Sequence, residues 1–258
     1  MTPAAIAQQV KALENWTGAK LFKRNAHGVD LTPLGARVLA DFSLAFDQLG
    51  IAVQNLRTSA APLEIRIAAL PSIAQLWVSP RLPKIRLAMP ELSISVSALE
   101  QKPSLVREPF DMAIFFDHDQ PGDNSWSIGR DMIFPVCTPA IARRLSQVED
   151  LANEVFLHDS TWSDDWKAWL AVASPSKNLN KSGPEFSLYA LALEECKNGA
   201  GILIGHEALV RPHLEAGELV APFKTKVSLP RYLALSALNL AKSGSPLAKV
   251  AAMLMTEQ

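Results

Sequence analysis

The chain has 258 residues, 48% of them apolar and 20% charged, with a formal net charge of −1. That length suits one large domain or two ordinary ones, and the charge excludes a uniformly basic nucleic-acid coat while leaving room for a small basic module. Two distant cysteines, Cys137 and Cys196, speak against a disulfide framework or a metal knuckle and favour a reducing cytoplasm; no apolar run reaches the roughly 18 residues of a membrane span.

Thr2-Pro3 opens the first helix. Threonine is a good N-cap, and proline suits the first helical position because its missing N–H would be unpaired there anyway. Ile6, Val10 and Leu13 recur at i, i+4 and i+7 as one apolar stripe, and Gly18 is placed to end the helix in the left-handed conformation. The other faces carry Ala4, Ala5, Gln8, Gln9 and Lys11. A helix this short needs partners for its stripe. Asn25, His27 and Gly28 then mark a tight turn between short extended pieces, with Lys23 and Arg24 on its approach.

Thr32-Pro33 repeats the cap-plus-proline start, and a long helix is expected over 33–57. Val38, Phe42, Ala45, Leu49, Ala52 and Leu56 alternate spacings of four and three as a heptad seam, which favours a dimerising linker helix over a helix packed on its own domain. The stretch TSAAP (58–62) reads as a domain boundary. The expected division is 1–32, 33–61 and 62–258.

Beyond it, strands and helices alternate. Leu63, Ile65 and Ile67 interleave with Glu64 and Arg66 as a half-buried strand, and a helix is expected around 73–89. Leu92, Ile94 and Val96 mark the next strand, followed by DMAIFF and by MIFPVC, which ends at another helix start, Thr138-Pro139. Then come the strand VFLH and a helix with Trp162, Trp166 and Trp169 on one face, read as core packing rather than an aromatic cage. The rest is the helix SLYALALEECKNG, the strand GILIG, the helix EALVRPHLEAG, the strand LVAPF, the strand YLALSAL and a terminal helix from Pro246. Such alternation indicates an α/β fold with mostly parallel sheets, whose ligands bind beyond the carboxyl ends of strands.

One stretch is specific enough to carry a resemblance. TPAAIAQQVKALENWTGAKLFKRNAHGVDLTPLGARVL resembles the recognition helix, wing and linker-helix start of LysR-type transcriptional regulators, matching at Thr2, Ala4, Ala5, Gln9, Leu13, Glu14, Gly18, Leu21, Phe22, Arg24, Leu31, Thr32 and Gly35. Downstream, LPSIAQLWVSPRLPKIRLAMPELSISV, FDMAIFF, PVCTP and GAGILIGHEALVRPHLEAGELVAPF resemble the family's effector-binding domain, particularly its glycine-cleavage activator branch. The resemblance implies a winged helix-turn-helix, a linker helix and a periplasmic-binding-protein-like effector domain of two subdomains, 62–134 with 227–258 and 135–226. Each subdomain is expected to own its sheet. The family's winged helix-turn-helix starts with two further helices that this sequence lacks, a truncation or a late start, and these would cover Ile6, Val10 and Leu13. Ala7 replaces a usual serine, His27 stands at the wing tip, and AIFFD (113–117) replaces the branch's A-I-R-Y-G.

Within this motif Gln8 and Gln9 are candidates for reading adenine in the major groove, since a primary amide pairs bidentately with N6 and N7. Lys11, Lys23 and Arg24 suit phosphates and the minor groove, and Thr2, Ala4 and His27 complete the implied DNA surface. In the effector domain Ser72 follows the first strand at a helix start, either a plain cap or a donor to an anionic ligand. Phe186 and Ser187 match cleft positions of the family, Gln101 follows the LSISV strand, and His206 reads as a surface or hinge residue sooner than as a ligand contact. His158-Asp159-Ser160 has the residue types of a hydrolase triad, but adjacent residues cannot form the relay, and no G-x-S-x-G elbow, P-loop, G-x-G-x-x-G or HExxH is present. No cofactor, metal or catalytic group is expected. The sequence therefore reads as a cytoplasmic, effector-controlled regulator that binds double-stranded promoter DNA and self-associates as a dimer or tetramer. The alternative is a dimeric small-molecule-binding protein that has lost DNA binding.

Overall fold

The computed structural model describes residues 2–25, 28–61, 63–118, 122, 124–174, 179, 182–238 and 244–256. The chain divides into two compact units, Met1–Ala60 and Ala61–Gln258.

In the first unit α1 spans Pro3–Thr17. The Thr2 hydroxyl accepts the Ala5 N–H at 3.3 Å, and Gly18 closes the helix at φ 66°, donating its N–H to the Glu14 carbonyl. The strands β1 (Phe22–Asn25) and β2 (Gly28–Leu31) form an antiparallel hairpin in which Lys23 pairs with Asp30 and Arg24 with Val29. The helix α2 then runs Pro33–Ala60. Its start is fixed by Thr32, whose hydroxyl donates to the Lys20 carbonyl at 2.8 Å and accepts the Gly35 N–H at 3.0 Å.

The second unit begins with β3 (Glu64–Ala69), alternating half-buried and buried side chains before it becomes buried throughout. A helical run follows: α3 (Pro71–Ile73), a π-helical turn over Ala74–Val78, a 3₁₀ turn over Ser79–Arg81 and α4 (Leu82–Ala88). The expected single helix is thus interrupted, because Pro80 has no N–H for the carbonyl four residues back. Then come β4 (Ser93–Ala98), β5 (Met112–Asp117), β6 (Ser125–Val136) and α5 (Pro139–Ala142), a single turn that starts after Thr138 as expected. The second half holds β7 (Phe156–Asp159), α6 (Asp165–Ala173), β8 (Glu185–Phe186), α7 (Tyr189–Lys197), β9 (Ile202–His206) and α8 (Glu207–Glu215). The chain returns in β10 (Val227–Ser236) and ends in α9 (Pro246–Thr256). The expected strand LVAPF reduces to one bridge, between Val220 and Cys137.

The strand order is β4-β3-β5-β10-β6-β9-β7-β8. Two separate sheets were expected; hydrogen bonding instead runs through all eight strands, because the long crossing strands β6 and β10 pair with each other and with both flanking sets. Directions decide where a ligand would sit. β3 and β4 are parallel, as are β3 and β5, and β5 runs with β6, both being antiparallel to β10. β6 travels from that first set into the second, where β9 is antiparallel to it and parallel to β7, which is parallel to β8. The carboxyl ends of both parallel sets therefore point towards the crossing segment. Of the two apolar clusters, the larger centres on Ile67, Ile73, Met112 and Leu235 but continues into the second half through Leu157, Leu193 and Leu203, and the other surrounds Phe156, Trp169, Ile202 and Leu151.

Candidate functional site

In the first unit, Ala4, Gln8 and Lys11 follow one another at i, i+4 and i+7 on α1 and are all exposed. That line lies opposite Ile6, Val10 and Leu13, whereas exposed Gln9, three residues after Ile6 and four before Leu13, sits beside the apolar stripe. Lys23 and Arg24 are exposed on β1, while Thr2 is engaged as the cap. His27 lies outside the described residues. What holds the helix to the hairpin is Glu14, which the family pattern contains but to which sequence reasoning gave no role. Its Oε1 accepts the N–H groups of Leu21 at 2.9 Å and Phe22 at 3.1 Å, and its Oε2 meets Lys20 Nζ at 2.8 Å. The Lys20 ammonium, followed by the two backbone donors, lowers its carboxyl to about 2.

In the second unit the crossing strands carry the densest polar cluster. The β6–β10 register breaks between Ser228 and Tyr232, where Pro230 has no N–H for the ladder. Asp131 of β6 and Arg231 of β10 lie at that break and pair at 2.7 Å. His206, at the end of β9, directs Nδ1 at Asp131 (2.9 Å) and Nε2 at Asp165 of α6 (3.1 Å). Arg231 Nη2 lies 3.4 Å from Asp165. With a carboxylate at each ring nitrogen, His206 is set up as an imidazolium. Burial alone would lower its pKa, but Asp131 and Asp165 overcome this and hold it above the usual 6.5. Burial likewise pushes Asp131 up, and His206 and Arg231 outweigh it, leaving its carboxyl below the usual range. Two cations and two carboxylates thus balance. Around them, the His206 ring lies 4.0 Å from Trp162, 5.2 Å from Tyr189 and 5.8 Å from Phe116, centroid to centroid. The Tyr189 hydroxyl donates to the Ile204 carbonyl and accepts the His206 N–H.

The effector candidates fall into two places. Phe186 of β8 is in register with Asp159 of β7, and His206 is the last residue of β9, so these stand at the carboxyl ends of the second set. Ser72 and Gln101 follow β3 and β4, at the carboxyl ends of the first set. Ser72 is buried inside α3 rather than capping it, Leu70 being the N-cap. Gln101 and Ser187 are exposed, and Ser187 does not cap α7, whose N-cap is Leu188. His206 is not a surface residue: it is 1% exposed. The tryptophan stripe also divides. Trp166 and Trp169 belong to the second apolar cluster, whereas Trp162 precedes α6 and packs against His206. Asp131, Asp165 and Arg231 escaped sequence reasoning because no spacing joins them; the nearest signal was Trp162.

A cavity of about 470 Å³ lies beside Phe116, lined also by Trp77, Arg81, Arg130, Arg211 and Leu233, and a second of about 10 Å³ lies beside His206. Among the described residues no group of three or more metal-ligating side chains converges, and no helix is long and apolar enough to cross a membrane.

An exposed polar helix tied to a hairpin, followed by an α/β unit whose parallel strand ends converge, defines a DNA-reading module joined to a ligand-sensing one. Residues 1–36 match the bacterial regulatory helix-turn-helix model of the lysR family, and residues 61–252 match the LysR substrate binding domain. The chain belongs to the LysR family of transcriptional regulators, which are not enzymes. It is 30% identical over 227 residues to the glycine cleavage system transcriptional activator of Escherichia coli K12, covering 86% of this chain and 74% of that protein. It is 31% identical over 236 residues to the transcriptional regulator DsdC of the same organism, covering 86% and 75%. Among solved structures, the effector domain of AmpR from Pseudomonas aeruginosa covers 74% of this chain and 93% of its own, at 21% identity and a TM-score of 0.58. Full-length AphB of Vibrio cholerae covers 99% of this chain and 90% of its own, at 19% identity and a TM-score of 0.56.

Proposed function

We propose that α1 and the hairpin form the DNA-reading edge of this regulator, and that the converging strand ends of residues 61–258 receive its small-molecule effector. The observation that supports the first part is the Glu14 lock, which fixes the helix against the start of β1 while the Ala4–Gln8–Lys11 line, Lys23 and Arg24 all stay exposed. Gln8 and Gln9 read base edges; Lys11, Lys23 and Arg24 hold phosphates; Thr2, Ala4 and His27 complete the surface. Ser72, Gln101, Phe186, Ser187 and His206 line the effector cleft, with Ser72 serving an anionic end. The subdomains are 62–134 with 227–258, and 135–226, and the reader, linker and effector segments are 1–32, 33–61 and 62–258. A second copy covers the exposed apolar residues of α2, giving a dimer or a tetramer, and the protein works in the cytoplasm, where its buried thiols Cys137 and Cys196 stay free.

The test is a titration of labelled promoter duplex against a shuffled duplex at fixed salt. Gln8→Ala with Gln9→Ala should remove discrimination worth about 1–3 kcal/mol per bidentate pair lost. Equal discrimination by the parent chain and the double variant would overturn the base-reading role and favour a ligand-binding dimer without sequence readout.

A further inference from the structure

Asp159 closes β7 and is 5% exposed. Its Oδ1 accepts the N–H groups of Thr161 at 2.8 Å and Trp162 at 2.9 Å; its buried Oδ2 has no hydrogen-bond partner. His206 is near enough for its charge to favour the carboxylate, but its two ring nitrogens are given to Asp131 and Asp165. Asp131 and Asp165 are matched by His206 and Arg231, which leaves Asp159 as the odd carboxylate of the neighbourhood. Burial pushes its carboxyl above the usual range, only partly offset by the Trp162 and Thr161 N–H groups, the charge of His206 and the Thr161 hydroxyl.

The cavity beside it has a volume of about 10 Å³ and is lined by Asp159, Trp162, Asp165, Trp166, Tyr189 and His206, among others. That is the space of one water-sized group. Its wall offers carboxylates, three aromatic rings and His158; Tyr189 gives its hydroxyl proton to Ile204, and both His206 nitrogens face carboxylates. Aromatic rings beside a buried carboxylate attract a compact cation that also donates hydrogen bonds. We propose that this cavity is a socket for a primary ammonium group of the effector, with Asp159 Oδ2 accepting one of its N–H bonds. The proposal rests on the effector reading above and adds the chemistry of one end of the ligand. A quaternary ammonium is too large for the socket and has no N–H to give.

The full chain, without DNA, would be titrated with methylammonium chloride at constant ionic strength while tryptophan fluorescence is followed, Trp162 being part of the wall. The expected result is a saturable change, at least tenfold weaker in Asp159→Asn and absent with tetramethylammonium. No saturable response to methylammonium, as for a cavity that holds an ordered water only, would overturn the proposal, as would equal affinity in the parent and Asp159→Asn. Should Asp159→Asn fail to fold, Trp162→Leu keeps the carboxylate and removes a ring; it should weaken methylammonium severalfold, and unchanged affinity would count against the socket. Because no DNA is present, failure here leaves the promoter titration standing, and failure there leaves this one standing.

Discussion

At Gly35 a single added carbon decides how close α2 can come to the segment before the hairpin. A Cβ there would lie 2.2 Å from the Leu21 carbonyl oxygen, a backbone atom that cannot step aside. Gly35→Ala should therefore destabilise the first unit by about 1–3 kcal/mol, read from chemical denaturation of the chain. Glu14 acts on the same segment, and with its carboxyl lowered to about 2, its stabilising contribution is present above 4.5 and lost as pH falls from there. His206 has the opposite sign. Its folded pKa is raised above 6.5, so its contribution is full below that value and lost as pH rises through the raised one. The melting temperature of the second unit should fall over that alkaline window. His206→Ala should flatten the fall, and at lower pH cost about 3–5 kcal/mol by leaving two buried carboxylates to one arginine. An alkaline dependence unchanged in the variant would show that another group titrates there. Thr32, Gly35 and Glu14 stood in a local motif and were visible in the sequence. The His206 cluster was not, because Asp131 lies 75 positions from His206 and 100 from Arg231, and only the fold brings them together.

Elements were legible where local chemistry decides them. Thr2-Pro3 and Gly18 bound α1 as their types suggest, and Thr32-Pro33 starts the long α2. Alternating β3 and the buried run of β5 followed their patterns. Misreadings arose where two local signals competed or where a partner strand was lacking. Pro80 divides the 71–88 run into α, π and 3₁₀ turns, and LVAPF finds only the Cys137 bridge. Periodicity marks which side of α2 is apolar but not what covers it. Phe42, Leu49 and Leu56 of the seam are exposed, and so are Leu39, Phe46 and Val53. Phe42→Glu with Leu49→Glu should give monomers in sedimentation if a second copy packs there. A double variant that stays dimeric would move the interface elsewhere.

For the whole molecule the sequence motifs announced a reader and a sensor, and the strand directions show how the sensor is built. The paired sets aim their carboxyl ends at the segment where β6 and β10 cross, and the His206–Asp131–Arg231–Asp165 cluster ties those crossing strands to the second set. On the proposed reading, a ligand that favours one spacing of the two sets would shift the population of the sensor, and with it how dimers pair and hold DNA half-sites. The separate sheets expected from sequence merged because strand pairing across β6 and β10 is a tertiary fact with no local signature.

The regulatory role depends on the exposed edge of the first unit meeting DNA. The most direct measurement is the salt dependence of duplex binding by the parent chain and by Lys23→Ala with Arg24→Ala. Each phosphate contact contributes a slope of about −0.9 in log affinity against log salt. The double variant should bind more weakly to every duplex, with a slope shallower by about two units. An unchanged slope and affinity would place DNA binding somewhere other than α1 and its hairpin.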